Sequence, residues 1–334
     1  MKKINYYGTL GPSCDSAEIL TGLFQAGMTG LRINLSHGNL KDCTKGIKNF
    51  YTAAKSIEGK PQLLIDLEGP ELRIGNLSSP ILLENGDEII LGKGPIKFPK
   101  IVLQELKVDQ EILLDDGMIA LRVLKRIKEG IHCRVDRGGL LKSRKSIAIP
   151  EADIKLPTLT ANDYKNIALA GDFGVTGVML PFVRSREDLI TLKDALKETG
   201  NDSIKVFAKI ENIKGVNILP ELLDYCDEIV IARGDLGNSM PLYKLPGVQK
   251  SIAELCSEKG KPFMVVTQML NSMIEKSVPT RAEVMDIYNA ILDGASSVML
   301  TGETAVGKYP IKAMEYLVNT SEEARLYINS LDRK

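Results

Sequence analysis

The chain has 334 residues, 44% of them hydrophobic, with 43 basic and 43 acidic side chains. That length holds a barrel plus one small domain, and zero formal charge argues against a general nucleic-acid or anionic-membrane binder. Five scattered cysteines without a Cys-x-x-Cys read as reduced thiols, two histidines argue against a His-rich metal site, and neither a signal-peptide core nor an apolar run of about 18 residues is present, so a soluble cytoplasmic protein is expected.

In chain order, Tyr6 and Tyr7 lead into Thr9-Leu10-Gly11-Pro12-Ser13, a strand end and a turn. Ile19, Leu20, Leu23 and Phe24 give helical spacing from about Ser16 to Ala26, and Gly27 is a helix stop. The stretch Gly30 to Ser36 alternates apolar and polar, so Arg32, Asn34 and Ser36 share one face. A helix is expected from about Lys41 to Ile57, then a short buried strand, Leu63-Leu64-Ile65-Asp66.

From about Gly75 to Ile149 the pattern changes. Short runs rich in Ile, Leu and Val are punctuated by Asn85-Gly86-Asp87, Asp115-Asp116-Gly117 and Arg137-Gly138-Gly139, which mark tight connections. After Pro157 helix and strand alternate again, with strands expected at 177–180, 205–209, 228–232, 263–267 and 297–300. Those five and the first three make eight. The reading is an α/β fold, a (β/α)8 TIM barrel interrupted after strand three by a small all-β domain. Its segments are 1–74 (barrel), 75–149 (insertion) and 150–334 (barrel, ending in a helix from about Ile311).

Three successive apolar runs end in polar groups, which is where a parallel barrel keeps its site. Val206 to Asn212 ends in Lys209 and Glu211, Ile229 to Asp235 ends in Arg233-Gly234-Asp235, and Phe263 to Gln268 ends in Thr267-Gln268. Glu211 and Asp235 could hold Mg2+ or Mn2+, which prefer hard oxygen ligands, with Lys209 as a point charge for a phosphate or an enolate. Arg32 suits a phosphoryl group, and oxygens of Asn34, Ser36 and Asp66 could share a monovalent cation. Lys142, Arg144 and Lys145 could fold over phosphates. Each pattern has a plainer reading as well. These are a strand-end ion pair, a polar strand edge, a backbone-satisfied Thr267, a turn residue at His37 and a solvated charge run.

Taken together the blocks resemble pyruvate kinases over almost the whole length. The N-terminal ones are Thr9 to Ser13, Leu31-Arg32-Ile33-Asn34-Leu35-Ser36-His37-Gly38 and Asp66-Leu67-Glu68-Gly69-Pro70-Glu71-Leu72-Arg73. The catalytic ones are Ala208-Lys209-Ile210-Glu211-Asn212, Ala232-Arg233-Gly234-Asp235-Leu236-Gly237 and Thr267 to Met273. The late ones are Pro279-Thr280-Arg281-Ala282-Glu283-Val284 and Gly302-Glu303-Thr304-Ala305. The resemblance implies phosphoryl transfer between phosphoenolpyruvate and ADP, giving pyruvate and ATP. It implies that Lys209 stabilises the phosphoryl group and the enolate, that Arg32 contacts the phosphoryl group, and that Glu211 and Asp235 bind Mg2+. It further implies that Gly234, Asp235 and Thr267 cradle the substrate carboxylate, Thr267 lying near the route of enolate protonation. Asn34, Ser36, Asp66 and the Leu67 carbonyl would hold K+, and Asn34, His37, Arg73 and Lys145 would contact the nucleotide. Glu71 in its place implies dependence on K+.

The chain departs from the family pattern at Glu68, Pro181 and Ser239, where a Lys, a Ser and a Glu are usual. No counterpart of the family's C-terminal domain is read, so the chain resembles a C-terminally truncated member, and the familiar effector control is not expected. Two other readings stay open at this point. One is a lyase handling pyruvate or oxaloacetate through a Mg2+-bound enolate, and the other a non-catalytic metabolite-binding paralogue. Self-association into a homo-oligomer is left open.

Overall fold

The computed structural model describes residues 4–36, 38–70, 72–115, 117–150 and 156–331. The apolar runs become strands. β1 (Asn5–Thr9), β2 (Gly30–Asn34) and β3 (Gln62–Asp66) come first. The chain then passes through β4 (Ile81–Leu83), β5 (Glu88–Gly92), β6 (Glu111–Leu114), β7 (Ile119–Ile127), β8 (Gly130–Arg137), β9 (Gly139–Leu141) and β10 (Ile147–Ala148). It resumes with β11 (Gly177–Leu180), β12 (Lys205–Ile210), β13 (Glu228–Ala232), β14 (Phe263–Val266) and β15 (Ser297–Met299). The order β1-β15-β14-β13-β12-β11-β3-β2 closes a parallel barrel from the eight expected strands, interrupted after the third.

Two compact units result. One comprises Met1–Gly69, Thr158–Arg233 and Pro246–Lys334; the other comprises Pro70–Pro157 and Gly234–Leu245.

In the barrel unit, register explains which side chains face inward. Leu64, Met179, Phe207, Val230 and Met264 pack together inside the barrel. Leu64 pairs with Arg32 and Asp66 with Asn34. Aligned residues of parallel neighbours share a face, as do residues two apart on one strand. Arg32, Asn34, Asp66 and Lys209 therefore continue the interior stack at the C-terminal ends of β2, β3 and β12. Helices cover the outside, and their caps follow the sequence. Ser16 accepts from the Ile19 N–H and caps Ala17–Gln25, and Gly27 beyond it takes φ +102°.

The family-like blocks at the two ends of the chain interlock to close the barrel. The Thr304 hydroxyl accepts from the Thr9 N–H at 2.8 Å, and a Cβ on Gly11 would lie 2.4 Å from the Ala305 carbonyl oxygen, so only glycine fits there. Thr280 and Glu283 form a capping box for the helix Arg281–Leu292. Glu283 also accepts from the Ser272 N–H and hydroxyl, at 2.7 and 2.6 Å. Glu303, 1% exposed, accepts from the N–H groups of Leu270 and Thr301. Both carboxylates thus hold the segment after β14.

At the start of β13, Glu228 is 7% exposed, and burial raises its carboxyl above the usual range, only partly offset by neighbours such as the Ser296 hydroxyl, 3.1 Å away. A carboxyl whose folded value is raised favours folding at acid pH and loses that contribution as pH rises through the folded value. Glu228→Gln keeps the shape and an acceptor for Ser296. Thermal melts should show the variant a few degrees more stable at pH 8 and level with the parent at pH 4. Equal differences at both pH values would refute this.

The second unit is an antiparallel sheet, β10-β6-β7-β8-β5, with a separate pair β4-β9. Leu91, Ile112, Leu121, Val123, Cys133 and Val135 are fully buried in its core. Between β6 and β7, Asp115 and Gly117 take φ +52° and +79°. The longest hairpin, β7–β8, turns at Lys128-Glu129, which carries no strong turn signal. This β-rich unit also contains the short helix Lys100–Glu105 and most of another, Arg233–Asn238. No described helix is long and apolar enough to cross a membrane.

Candidate active site

Four charged side chains form one connected chain at the C-terminal end of the barrel. Asp66, 2% exposed, accepts from Arg32 Nε at 3.0 Å and Nη2 at 2.5 Å, both to Oδ2. Lys209 Nζ donates to Asp66 Oδ1 at 3.1 Å and lies 2.8 Å from Glu211 Oε1. Burial alone would raise the Asp66 carboxyl, but the charges of Lys209 and Arg32 outweigh it and hold it below the usual carboxylate range. Burial likewise opposes the Lys209 charge. Asp66 and Glu211 outweigh that and hold the ammonium protonated above the usual lysine range. Lys209 is therefore a fixed cation at neutral pH, suited to stabilising negative charge and not to shuttling protons.

Glu211 is built as a ligand would require. Its Oε2 accepts from the Phe182 N–H at 2.8 Å, while Oε1 is buried with no hydrogen-bond donor angled at it, even though Lys209 Nζ is at ion-pair distance. A buried carboxylate oxygen that already faces an ammonium is a site for positive charge, and a hard oxygen of this kind suits a divalent cation as well. Phe182 reaches Glu211 from a left-handed conformation, φ +53°, just after β11. Asn34 Oδ1 accepts from the Ser36 N–H and hydroxyl at 3.2 and 2.9 Å. The Leu67 N–H donates to the Met179 carbonyl at 3.1 Å.

Thr267 follows β14 at an outward-facing step, because Val266 is in the interior core. A regular strand would carry it away from the site. Thr267 and Gln268 instead take φ +79° and +55°, each costing about 1–3 kcal/mol for a residue with a side chain. Arg233 holds that turn. Its Nε and Nη2 donate to the Thr267 carbonyl at 3.2 and 2.8 Å, and its Nη1 donates to Asp286 at 2.7 Å. The Phe182 N–H was not legible as a site element in the sequence, and Arg233 was read only as a polar group ending its strand, directly before Gly234-Asp235.

Gly234 and Asp235 lie in the helix Arg233–Asn238, in the portion belonging to the second unit. Arg73 and Lys145 belong to that unit too. Arg73 Nη1 donates to the Arg144 carbonyl at 2.8 Å, and Lys145 pairs with Asp115 at 2.6 Å. His37 and Glu71 lie outside the described residues.

Against known proteins, the family profile described as pyruvate kinase, barrel domain, matches residues 1–314. The chain belongs to the pyruvate kinase family. It is 37% identical to a pyruvate kinase of Aeropyrum pernix over 96% of this chain and 70% of that protein. It is 35% identical to one of Bacillus licheniformis, with 98% and 58% covered, and 37% identical to the pyruvate kinase PKLR of Homo sapiens, with 97% and 60% covered. The chain thus spans 58–70% of the length of these relatives. Two departures from the pyruvate kinase pattern meet at one place in the barrel unit. Pro181 packs on Gly69, where an added Cβ would lie 2.5 Å from the proline ring, and Glu68 sits on the same turn. The third, Ser239, donates its hydroxyl to the Leu236 carbonyl at 2.8 Å. Among the described residues no group of three or more His, Cys, Asp or Glu is arranged to hold a metal.

Proposed function

We propose that the chain transfers a phosphoryl group between phosphoenolpyruvate and ADP, giving pyruvate and ATP, with Mg2+ (or Mn2+) and K+ as cofactors. The observation that carries this is the linked set Arg32, Asp66, Lys209 and Glu211, two cations and two buried carboxylates in ion-pair contact. A phosphoryl group would compete with Asp66 for Arg32 and Lys209, and those two cations would stabilise it in transfer. Lys209 would also hold the enolate as a permanent cation. Gly234 and Asp235 would bind the substrate carboxylate together with Thr267, which would lie near the route of the proton to the enolate carbon. Asn34, His37, Arg73 and Lys145 would contact the nucleotide.

Glu211 and Asp235 would hold Mg2+, whose remaining positions would go to substrate oxygens or water, in keeping with a two-carboxylate site. Mg2+, when bound, supplies positive charge for the phosphoryl and enolate oxygens. Asn34, Ser36, Asp66 and the Leu67 carbonyl are all oxygen donors, as K+ needs. The segment 75–149 would serve as a lid that excludes water, between barrel segments 1–74 and 150–334. The protein would act in the cytoplasm, without nucleic acid or membrane as partner, and self-association into a homo-oligomer would be compatible with this role.

The test is a 31P NMR time course with phosphoenolpyruvate, ADP, Mg2+ and K+. ATP signals growing as phosphoenolpyruvate disappears support the reading; a static spectrum rejects it. Replacing K+ by tetramethylammonium at constant ionic strength should remove most activity, and equal turnover in the two salts would sink the K+ assignment.

A further inference from the structure

Asp163 is fully buried at the third position of the helix Ala161–Leu169. The spacing Thr160-x-x-Asp163 is that of a capping box, and the Thr160 N–H and hydroxyl do donate to Asp163 Oδ2, at 2.8 and 2.9 Å. A cap needs nothing more. The same carboxylate nevertheless accepts two further bonds from outside the helix. The Glu68 N–H donates to Oδ1 at 2.9 Å, and the Gly69 N–H donates to Oδ2 at 3.1 Å. These two amides form the turn by which the chain leaves β3. The turn is confined on another side by Pro181, which closely packs on Gly69 at φ +60°.

The Glu68 N–H and the Leu67 carbonyl belong to one peptide unit. That unit is planar and trans, so its N–H and C=O point in opposite directions. Anchoring the N–H on a buried carboxylate therefore aims the carbonyl. A negative acceptor also polarises the peptide and makes the carbonyl oxygen a better donor to a cation. We propose that Asp163 is a positioning residue for the monovalent-cation site: it fixes and polarises the Leu67 carbonyl through the Glu68 amide. This rests on the reading of Leu67 as a K+ ligand given above.

Two substitutions separate this role from helix capping. Asp163→Asn keeps the volume but removes the charge and an acceptor, loosening both the cap and the turn. Thr160→Ala loosens the cap alone. The K+ concentration for half-maximal turnover should rise about tenfold in Asp163→Asn, the worth of one charge-assisted hydrogen bond, with a smaller change in kcat at saturating KCl. Thr160→Ala should leave it unchanged. Equal K+ responses in the two variants would overturn the proposal.

Amide hydrogen exchange of the parent protein gives a second readout that needs neither turnover nor a folded variant. The Glu68 and Gly69 amides should exchange as slowly as β3 core amides, and Glu68 more slowly still in KCl than in tetramethylammonium chloride. Exchange at the rate of exposed turn amides, or no response to KCl, overturns the proposal. A parent protein without kinase activity would instead reject the proposed function, and the exchange result would still decide the role of Asp163.

Discussion

Lys209→Met should lower turnover by about a thousandfold or more, the scale expected if Lys209 supplies the charge proposed for the transferring phosphoryl group. The structure adds a consequence for stability. Arg32 and Lys209 balance Asp66 and Glu211 in a cluster whose side chains are 12, 12, 2 and 1% exposed. Removing Lys209 alone leaves one buried carboxylate uncompensated, and breaking such a pair costs about 3–5 kcal/mol. The double variant Lys209→Met/Glu211→Gln restores the balance of charge. It should therefore recover much of the lost stability while its turnover stays as low as that of Lys209→Met. Denaturant titrations beside kinetic assays of the single and double variants and the parent check this. A double variant less stable than Lys209→Met would show that the cluster is not held by charge balance. Because its environment keeps Lys209 protonated, the parent's activity should show no inflection from this group near neutral pH.

Glu211→Gln should cut turnover by about a hundredfold or more, the loss typical of one electrostatic contact to a reacting oxygen. It should also raise the Mg2+ concentration needed for half-maximal activity. The substituted amide side chain still offers an oxygen to the Phe182 N–H, so the loop after β11 keeps its anchor. What the variant loses is the negative charge that faces Lys209 through Oε1. The measurement is turnover against Mg2+, with Mn2+ as a second ion. Unchanged Mg2+ dependence would remove Glu211 from the metal site, whatever the effect on turnover.

The sequence carried a large part of this site because strand periodicity is geometric. Lys209 and Glu211 are two apart, as are Arg32 and Asn34, so each pair shares a face wherever the strand lies. The apolar runs before them mark buried parallel strands, and polar residues at the ends of such runs fall at the barrel mouth. The caps Ser16, Thr160 and Thr280 are set just as locally, by one residue and the three that follow, although they were not singled out as caps from the sequence. The β7–β8 hairpin was harder to read. Lys128-Glu129 is a weak turn, and the hairpin is held by pairing along two long strands instead.

Sequence alone thus determined the eight strands, the point of insertion and which polar residues end each strand, because these follow from spacing along one segment. Only the tertiary structure decided how those residues are held. Asp66 draws Arg32 and Lys209 together from different strands. Arg233 stabilises the left-handed turn that takes Thr267 off the strand's regular alternation. Asp163 reaches from a helix cap to the turn at Glu68, some 95 residues earlier in the chain. Contacts of this kind depend on where the closed barrel sets distant segments side by side, and no local period encodes that.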